Sequence, residues 1–518
     1  MPHRSMRPLR RSALVAAIAL AGIGGSPATL MAVTHVPLEW PLPQERSAAL
    51  TPLRERMLAL QATQPIAATR GSATLVVTTC ADDGSPGSLR TLVESAISGD
   101  VIDLSTLDCG RITLVDGVLD IEAEDLVLRG PGAGLLAIDG GRQDRVLRHA
   151  SHGELTIEGL TIERGVHRAS GTDVGYGGCI AAGNRLSLIG SVVRDCEAVG
   201  VGAYGGGVLS GPLTMRNSTI SGNLAFGHHE TNGTAAYGGG AFSYGVDLLD
   251  STISGNRALG THNPPLSHWE IGGGVFVARN GGRIERCTIA DNYAIRFAGG
   301  LTQEGDLVLR NSTVSGNRVR DDDGGGVRVR QITSIVIENS TITDNEAGSF
   351  GGGISFINHA QPSVMRSSII AGNRAGGTAD DAASTMALAI AGSHNLIGQA
   401  DAMLALPADT LSLDPRLLPL ADNGGSTLTH ALAAGSPAID LGNNSQGLAT
   451  DQRGTGHPRV IGGAADIGAY EYRGGQGTAA VAVPVDSPAL KGLLAGLLAV
   501  AGGLALTRRR RRSAATRR

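Results

Sequence analysis

Aromatic residues, charged residues and cysteine are all scarce in this sequence. Phe, Trp and Tyr make up 3% of the 518 residues, Asp, Glu, Lys and Arg make up 17%, and there are 5 cysteines. A formal net charge of -4 gives no support for binding nucleic acid, which requires a basic surface. The cysteines form neither a CxxC pair nor a cluster with histidine at the spacing of a zinc site. We therefore expect no nucleic-acid partner, no metal and no cofactor.

Glycine, by contrast, is abundant, with 76 residues. It does not recur with the strict three-residue period of collagen, and the 42% content of apolar residues argues against disorder. This composition is typical of a folded β protein with many turns.

Both ends of the chain place apolar segments beside arginines. Residues 1–28 run from arginines through a short apolar stretch to small residues, which is typical of an export signal; the pair Arg10 and Arg11 leaves a twin-arginine signal open. Residues 490–518 contain an apolar run followed by a run of arginines, and this run is long enough to span a membrane only if Lys491 snorkels. We predict an exported protein that this segment anchors in the cell envelope or at the cell surface.

A seven-residue pattern recurs through the middle of the chain. It reads NSTISGN at 217–223 and returns in related form with its last residue at Asn256, Asn292, Asn317 and Asn345. Steps of 25 to 36 residues, each containing a strand signal, indicate a solenoid. The residue three positions before the last is always β-branched and aliphatic. Such a column is expected where one inward side chain per coil stacks on its equivalent in the next coil.

These patterns predict an all-β protein, a single-stranded right-handed parallel β-helix with a cap at each end and a terminal hydrophobic helix. The predicted divisions are a signal peptide at 1–28, a linker at 33–71, an N-terminal cap with the first coils at 72–145, the β-helix repeats at 146–400, a C-terminal β-rich domain at 401–472, a second linker at 473–489 and the hydrophobic anchor with its basic tail at 490–518. Linkers are indicated by their proline, glycine and small residues.

The asparagine that ends each heptad is expected to do two things. It tolerates the left-handed conformation of a sharp turn, and stacked asparagine amides can hydrogen-bond along the ladder. Asn217, Asn311 and Asn339 also begin N-x-[ST] sequons, but their recurrence at one place in the coil favours a scaffold role over glycosylation.

One column just before the heptads carries alternating charge: Glu285, Arg310, Glu338 and Arg366. We expect it to face outward, with opposite charges side by side on the sheet. Exposed pairs of this kind contribute about 0–1 kcal/mol each, so they set register and solubility. A carboxylate between two arginines leaves a lyase site open as the alternative.

Two segments outside the heptads resemble a known family. Residues 80–114 look like the N-terminal cap of bacterial secreted right-handed β-helix proteins with a CSLREA-type segment, although 87–92 retains only the Ser-Leu-Arg core of that motif. Residues 414–472 closely resemble the choice-of-anchor Q domain, which stands ahead of several kinds of envelope anchor that are often processed. The resemblance implies the fold, export and surface display; it implies no established biochemical activity.

Export would permit disulfides. Cys80 and Cys109 bracket the N-terminal cap, where a bridge would hold an end of the stack. Cys179 and Cys196 are expected within about one rung of each other. Cys287 replaces serine in a column of small residues, so we expect it to be a free, buried thiol.

The loops that follow Asn223 and Asn256 are long, and we expect them to stand side by side as a rim. The candidate ligand-binding residues on this rim are His228, His229, Glu230, His262, His268, Trp269 and Glu270. Clustered imidazoles and carboxylates could bind a divalent metal, and an exposed Trp beside polar groups suits a sugar. The alternative is a set of solvated loop residues with Trp269 folded onto the coil edge.

Tyr176, Tyr204 and Tyr237 occupy one column next to these loops. They form either a structural spine or a shallow glycan-binding strip. The column alone does not decide between these two roles.

No catalytic residue is assigned from the sequence. Lyases and hydrolases on a β-helix are expected to gather carboxylates from adjacent coils, whereas Asp321 to Asp323 is the only acidic run in the repeats and indicates a solvated turn, with a bound cation as the alternative. We predict a non-catalytic, adhesin-like or structural surface protein with an extracellular glycan as its candidate partner. The alternatives are a carbohydrate-active enzyme, either a polysaccharide lyase or a glycoside hydrolase, that uses the rim, and a stalk without a ligand.

Overall fold

The structure, a computed structural model, describes residues 72–228, 234–261, 268–330, 334–359, 361 and 363–474, without the side chain of His268. All described residues belong to one compact unit. The predicted signal peptide, first linker and hydrophobic anchor, and all but the first two residues of the second linker, lie outside the described residues.

The described chain is almost entirely β-structure, with one helix, α1 (Leu89–Ser95), in the N-terminal cap. The side chain of Ser88 caps this helix by accepting a hydrogen bond from the Thr91 N–H group. Within the described residues no helix is long and apolar enough to cross a membrane.

Sheet 1 contains 21 strands in two parallel ladders that share two long strands. The first ladder consists of Leu119–Ile121, Leu147–His149, Ile180–Ala182, Val208–Arg216, Ala241–Leu249, Val275–Val277, Leu301–Gln303, Val327–Arg330, Ile354–Ile357 and Ala382–Ser384. The second consists of Thr74–Val76, Asp100–Asp103, Leu126–Arg129, Glu154–Glu158, Arg185–Ile189, the shared strands Val208–Arg216 and Ala241–Leu249, Gly282–Glu285, Leu307–Arg310, Ile335–Glu338, Ser363–Arg366, Leu388–Ser393 and Leu404–Ala405.

Three further sheets complete the coils. Sheet 2 has 11 strands: Arg111–Thr113, Ala137–Asp139, Thr161–Glu163, Val192–Arg194, Thr219–Ser221, Thr252–Ser254, Thr288–Ala290, Thr313–Ser315, Thr341–Thr343, Ile369–Ile370 and Leu396–Ile397. Sheet 3 has 9: Val166–Arg168, Glu197–Gly200, Leu224–Gly227, Arg257–Gly260, Tyr293–Ala294, Arg318–Val319, Glu346–Ala347, Arg374–Ala375 and Thr378–Ala379, of which the last is antiparallel. Sheet 4 has 4: Gly175–Tyr176, Gly202–Tyr204, Thr234–Tyr237 and His268–Ile271.

The interior is built from the columns that the heptads predict. Ile220 pairs with Ile253 and Ile253 with Ile289 on neighbouring strands of sheet 2, and all three are at most 1% exposed. Equivalent side chains of successive coils therefore lie on top of one another. This confirms the predicted parallel β-helix.

The predicted asparagine ladder is present, but its turn conformation is different. Asn317 Nδ2 donates to Asn345 Oδ1 at 2.9 Å, and the same pattern links the neighbouring coils. The left-handed residue is instead the one before each asparagine, such as Gly222 (φ 65°) and Asp344 (φ 57°). The asparagine turns inward, where its amide satisfies backbone groups at the corner between sheets 2 and 3.

The sequon asparagines open the heptads in the left-handed conformation, at φ 48° in Asn217, 43° in Asn311 and 45° in Asn339. Asn311 and Asn339 are at most 2% exposed, and Asn311 Nδ2 donates to the carbonyl of Thr450. These two side chains are therefore inaccessible as glycosylation acceptors in the folded protein.

Both predicted disulfides are present: Cys80 with Cys109 and Cys179 with Cys196. Cys287 is free and buried, as predicted, and its thiol donates to the carbonyl of Glu285 as serines of that column do to theirs. Burial raises the pKa of this thiol to about 12, so it stays protonated and unreactive.

The charged column has the predicted register but not the predicted exposure. Glu285, Arg310, Glu338 and Arg366 pair in that order across the second ladder of sheet 1. The Glu338 side chain is only 2% exposed because Arg310 and Arg366 each donate to it at 2.7 Å. The expectation of an exposed column was wrong at this position. A carboxylate enclosed by two guanidinium groups is shielded from solvent, which disfavours the alternative of a lyase site.

Residues 414–472, which we call the C-terminal strap, lie along sheet 2. The strap is held by polar contacts to successive coils: Thr288 Oγ1 donates to the Leu428 carbonyl at 2.6 Å and Ser367 Oγ to the Asn443 carbonyl at 2.9 Å. Gln452 is fully buried between the two layers, where its Oε1 accepts from Thr313 at 2.6 Å.

Four buried charged residues of the strap form ion pairs with one another. Arg459 and Glu471, both 0% exposed, pair at 2.9 Å, and Arg453 pairs with Asp451 at 2.6 Å. The residues that carry the choice-of-anchor Q resemblance thus serve packing. The identification with that domain stays a prediction.

Candidate functional site: an aromatic corner beside a protruding pair of sheets

In four successive coils the chain adds a pair of strands that pack face to face, one in sheet 3 and one in sheet 4. We call this pair of sheets the flange. Its interior consists of alanine side chains, including Ala198, Ala203, Ala225, Ala236 and Ala258. Because alanine is small, the two sheets lie close together and their large side chains face outward on both sides.

The long loops predicted to form a rim connect the strands of the flange. His229, Glu230 and His262 lie outside the described residues, as does the side chain of His268. Among the described residues no group of three or more His, Cys, Asp or Glu side chains could hold a metal ion.

The three remaining rim residues lie on different sides of the flange. His228 stacks on Phe226, at 5.9 Å between ring centroids, on the outer face of sheet 3. Trp269 is in register with Ala235 and faces outward from sheet 4, whereas Glu270 is in register with Ala236 and points into the flange. The structure therefore does not bring His228 and Glu270 to one surface.

The tyrosine column is continuous in sheet 4. Tyr176, Tyr204 and Tyr237 are in register on neighbouring strands. Tyr204 and Tyr237 stack at 5.1 Å, while Tyr176 contacts His167 at 4.6 Å. Burial, together with Arg145 and Arg148, lowers the pKa of His167 to about 3, so this imidazole is neutral and its Nδ1 accepts the Tyr176 N–H.

Sheet 4 folds over the outer face of sheet 1, and the corner between them is aromatic. Phe242 and Phe276 stack at 5.2 Å and are only 2% exposed, since Tyr204 and Tyr237 cover them edge-on. Tyr244 extends the group along the strand, 5.9 Å from Phe242. We call these five residues the aromatic corner. The packing supports the spine interpretation of the column, while the half-buried tyrosines keep part of their surface in solvent.

A shallow groove of about 380 Å³ begins next to Tyr244 on sheet 1, at Gly245. Gly245, Gly281 and Gly282 leave its floor open, and its lining combines the apolar residues Pro212, Leu213 and Val246 with the polar residues Thr214, Asp247, Asn280, Arg283 and Asp306. Asn280 N–H donates to the Tyr244 carbonyl at 2.6 Å, which fixes the groove against the aromatic corner. We call this feature the polar groove.

The C-terminal end of the flange carries a second cluster of rings and arginines. Trp269 stacks on Phe297 at 6.0 Å, with the Arg296 guanidinium 4.9 Å from the Phe297 ring. Arg296 also pairs with Asp322 at 2.7 Å. The sequence expectation that Trp269 folds onto the coil edge agrees with this packing.

The acidic run 321–323 is not a solvated turn. Asp323 is 4% exposed and accepts hydrogen bonds from Arg328 at 2.9 Å and Ser355 at 2.6 Å. Asp321 is exposed and pairs with Arg320. The expectation was wrong for Asp322 and Asp323, because Arg296 and Ser355 of neighbouring coils bind them, a proximity that the run itself does not reveal.

Glu270 is the most perturbed acid of the flange. Its side chain is 1% exposed, its Oε1 accepts from the Thr234 hydroxyl at 3.2 Å, and its Oε2 has no hydrogen-bond partner among the described residues. Burial raises the pKa of this carboxyl from 4.5 to about 7.

A larger groove of about 590 Å³ lies near the last coils, lined by Asp344, Asp381, Leu413 and Leu418 among others. Neither groove has an aromatic residue in its lining, but the polar groove adjoins the aromatic corner through Gly245, which follows Tyr244. The carboxylate of Asp381 is used by Asn373 and by the Gln399 N–H group. We therefore regard the aromatic corner and polar groove as the stronger candidate.

The polar groove and the phenylalanines of the corner were not found by sequence reasoning. One signal was present: Phe242 and Phe276 each stand two residues after a glycine cluster, Gly238–240 and Gly272–274. That spacing places them in one column of sheet 1, which the register of the strands confirms.

Residues 180–390 match a family described as right handed beta helix region. This match confirms the predicted handedness and repeat architecture. The sequence matches none of the curated proteins. Among solved structures the chain is similar to the crystal structure of pectate lyase Pel9A, with 15% identity, a TM-score of 0.36, and coverage of 78% of this chain and 98% of that chain.

Proposed function

We propose that this chain is an exported, envelope-anchored β-helix protein that binds an extracellular, uncharged glycan without turning it over. The observation that carries the proposal is the aromatic corner, where half-buried Tyr244 directly precedes Gly245 of the polar groove and its carbonyl accepts from the Asn280 N–H group. Sugars present apolar C–H faces and hydroxyl edges, and they are held where ring surfaces lie beside a few fixed polar groups.

The geometry suits a chain of sugars that crosses sheet 1. Tyr244 and Asp247 lie on one strand, so at about 3.3 Å per residue their α-carbons are roughly 10 Å apart. A short oligosaccharide can then stack on the tyrosines with one end while its hydroxyls reach the groove with the other.

The balance of charge favours an uncharged ligand. At the groove Arg216 pairs with Asp247 and Arg283 pairs with Glu285, while Asp306 adds a further carboxylate. With no excess of positive charge, the groove offers donors and acceptors for hydroxyls but no field that attracts a polyanion.

Export and anchoring rest on the sequence of the chain ends. The two disulfides support export, because such bonds form and persist in oxidising compartments. An adhesin-like or structural role at the cell surface is the consequence of this placement.

The test is binding of the full chain to an array of neutral and acidic glycans. For the best ligand we expect Tyr244→Ala and Tyr237→Ala to weaken affinity roughly fivefold, because each removes about 1 kcal/mol of stacking. Tyr293→Ala is the matched control, since Tyr293 is also half-buried but lies on the outer face of sheet 3.

The same samples decide the alternatives. Release of reducing ends or of unsaturated uronides would select a carbohydrate-active enzyme. Binding that is confined to acidic glycans, or that Tyr293→Ala reduces as much as Tyr244→Ala, would contradict the proposed site. If the chain binds none of the glycans, the remaining interpretation is a structural stalk without a ligand.

A further inference from the structure

We infer that the flange is a proton-dependent device: protonated Glu270 holds the strand His268–Ile271 closed against sheet 3, and loss of this proton loosens it. The loosening itself follows from the geometry of the flange. Its effect on ligand binding, which is to weaken the aromatic corner, rests on the proposed function.

The interior of the flange has no place for an anion at this position. Glu270 is 1% exposed, and Thr234 is the one other described residue whose side chain donates to it. Gly260 lies so close that an added Cβ would stand 2.1 Å from Glu270 Oε1. The opposing faces are alanine and glycine, so ionisation would leave a buried carboxylate with one side-chain hydrogen bond among the described residues.

Among the side chains that the structure describes, none packed against Glu270 is a dedicated cation for it. The strand Thr234–Tyr237 carries one titratable group, Tyr237, on its opposite face. The strand Arg257–Gly260 carries Arg257, whose guanidinium lies 5.8 Å over the Tyr293 ring.

In the next coil, Arg296 pairs with Asp322 at 2.7 Å and Arg320 with Asp321 at 2.7 Å. These two arginines favour the anion from a distance, and burial outweighs them as the largest influence on the pKa of Glu270. The loops at 229–233 and 262–267 lie outside the described residues.

The strand that carries Glu270 lies at an edge of its sheet. It is the last strand of sheet 4, and beyond it only Ile271 forms a β-bridge, with Phe297. The Glu270 carbonyl accepts from Arg296 and Phe297 N–H groups, so opening would break few backbone bonds.

The direction of the effect follows from proton linkage. In the closed flange the pKa of Glu270 is about 7, against an ordinary value of 4.5 once the strand opens. The closed state therefore binds the proton more tightly, and its advantage is complete below about pH 4.5 and is lost as the pH rises to about 7. Between these limits the closed-to-open ratio should fall on the order of 100-fold.

The experiment uses the full chain with Trp40→Phe, which leaves Trp269 as the only one of the 2 tryptophans. Trp269 fluorescence and amide hydrogen exchange of 234–237 and 268–271, corrected for intrinsic rates, are followed from pH 4 to pH 8.5 without glycan. We expect opening of the flange to increase on the order of 100-fold across this range while the strands of sheet 2 stay unchanged.

Two variants and one control test whether Glu270 causes the pH-dependent transition. Glu270→Gln should remove it and keep the flange closed, whereas the control Glu346→Gln, at an exposed site on sheet 3, should not alter it. Thr234→Val removes the one donor to the carboxylate, so the transition should extend to higher pH. A flange that does not respond to pH, an unchanged transition in Glu270→Gln, or an unmoved one in Thr234→Val would each overturn the inference.

These measurements need no ligand, so failure of glycan binding leaves them valid. Glycan affinity that is equal at pH 5 and pH 8 in a flange that does open would remove the regulatory consequence alone.

Discussion

Replacing Asn317 by alanine tests what holds the coils of this protein together. Asn317 is 0% exposed and stands in the middle of the asparagine ladder. Its Oδ1 accepts from the Asn292 N–H at 3.1 Å, and its Nδ2 donates to the carbonyl of Ile289 at 2.9 Å and to Asn345 Oδ1 at 2.9 Å. Two of these bonds join Asn317 to the preceding coil and the third joins it to the following one.

The magnitude follows from the groups that lose a partner. Asn345 Oδ1 retains the backbone N–H of residue 317, at 3.0 Å. The Asn292 N–H and the Ile289 carbonyl lose the Asn317 side chain in a place that water does not reach. Two buried polar groups at roughly 1–3 kcal/mol each give a loss of about 4 kcal/mol in the free energy of unfolding.

The matched control is Asn217→Gly. Asn217 is exposed and adopts φ 48°, a conformation that glycine accepts without strain, so we expect a change within about 1 kcal/mol in the free energy of unfolding.

The unfolding of both variants in urea is followed by circular dichroism. Hydrogen exchange of strands Thr288–Ala290 and Thr313–Ser315 reports local opening, because a repeat array need not unfold in one step. A cost for Asn317→Ala no larger than that of the control would refute the ladder as the main source of coil cohesion.

Three further substitutions test the strap and the cysteines by urea unfolding. Gln452→Ala should cost about 3 kcal/mol because it orphans buried groups between strap and sheet 2, while exposed Gln446→Ala should cost less than about 0.5; equal costs would contradict the docking. Cys287→Ser should change stability by less than about 1 kcal/mol because serine already fills that column, and a large loss would contradict this. Cys179→Ser combined with Cys196→Ser opens a loop of separation 17 and should cost about 3 kcal/mol; no loss would show that the bridge constrains nothing.

The scaffold was predictable because each coil repeats the same offsets. Ile220, Ile253 and Ile289 share one position in their heptads and therefore one position in the core. The left-handed residue was misassigned because the heptad places two permissive residues next to each other. Gly222 and Asn223 both tolerate positive φ, and only the inward hydrogen bonds of Asn223 decide which of them adopts it.

The candidate site was less predictable. The tyrosine column was visible in the sequence. Phe242 and Phe276, however, lie on the outer face of sheet 1, and nothing in the heptads predicts that another sheet covers this face. They are buried because sheet 4 folds over that face, which depends on the flange as a whole. The same reason hid the interior position of Glu270, since alternation along a strand does not say which face another sheet will cover.

The sequence by itself determined the stack: its period, its inward columns, its disulfides and the place of the long loops. These features repeat at fixed offsets, and steric stacking at one rung per coil leaves them a single arrangement. Tertiary structure alone decided which outward residues are covered. Burial of Glu338, of the strap contacts and of the aromatic corner depends on contacts between separate segments of the chain. The local sequence of a segment does not show which other segment will cover it.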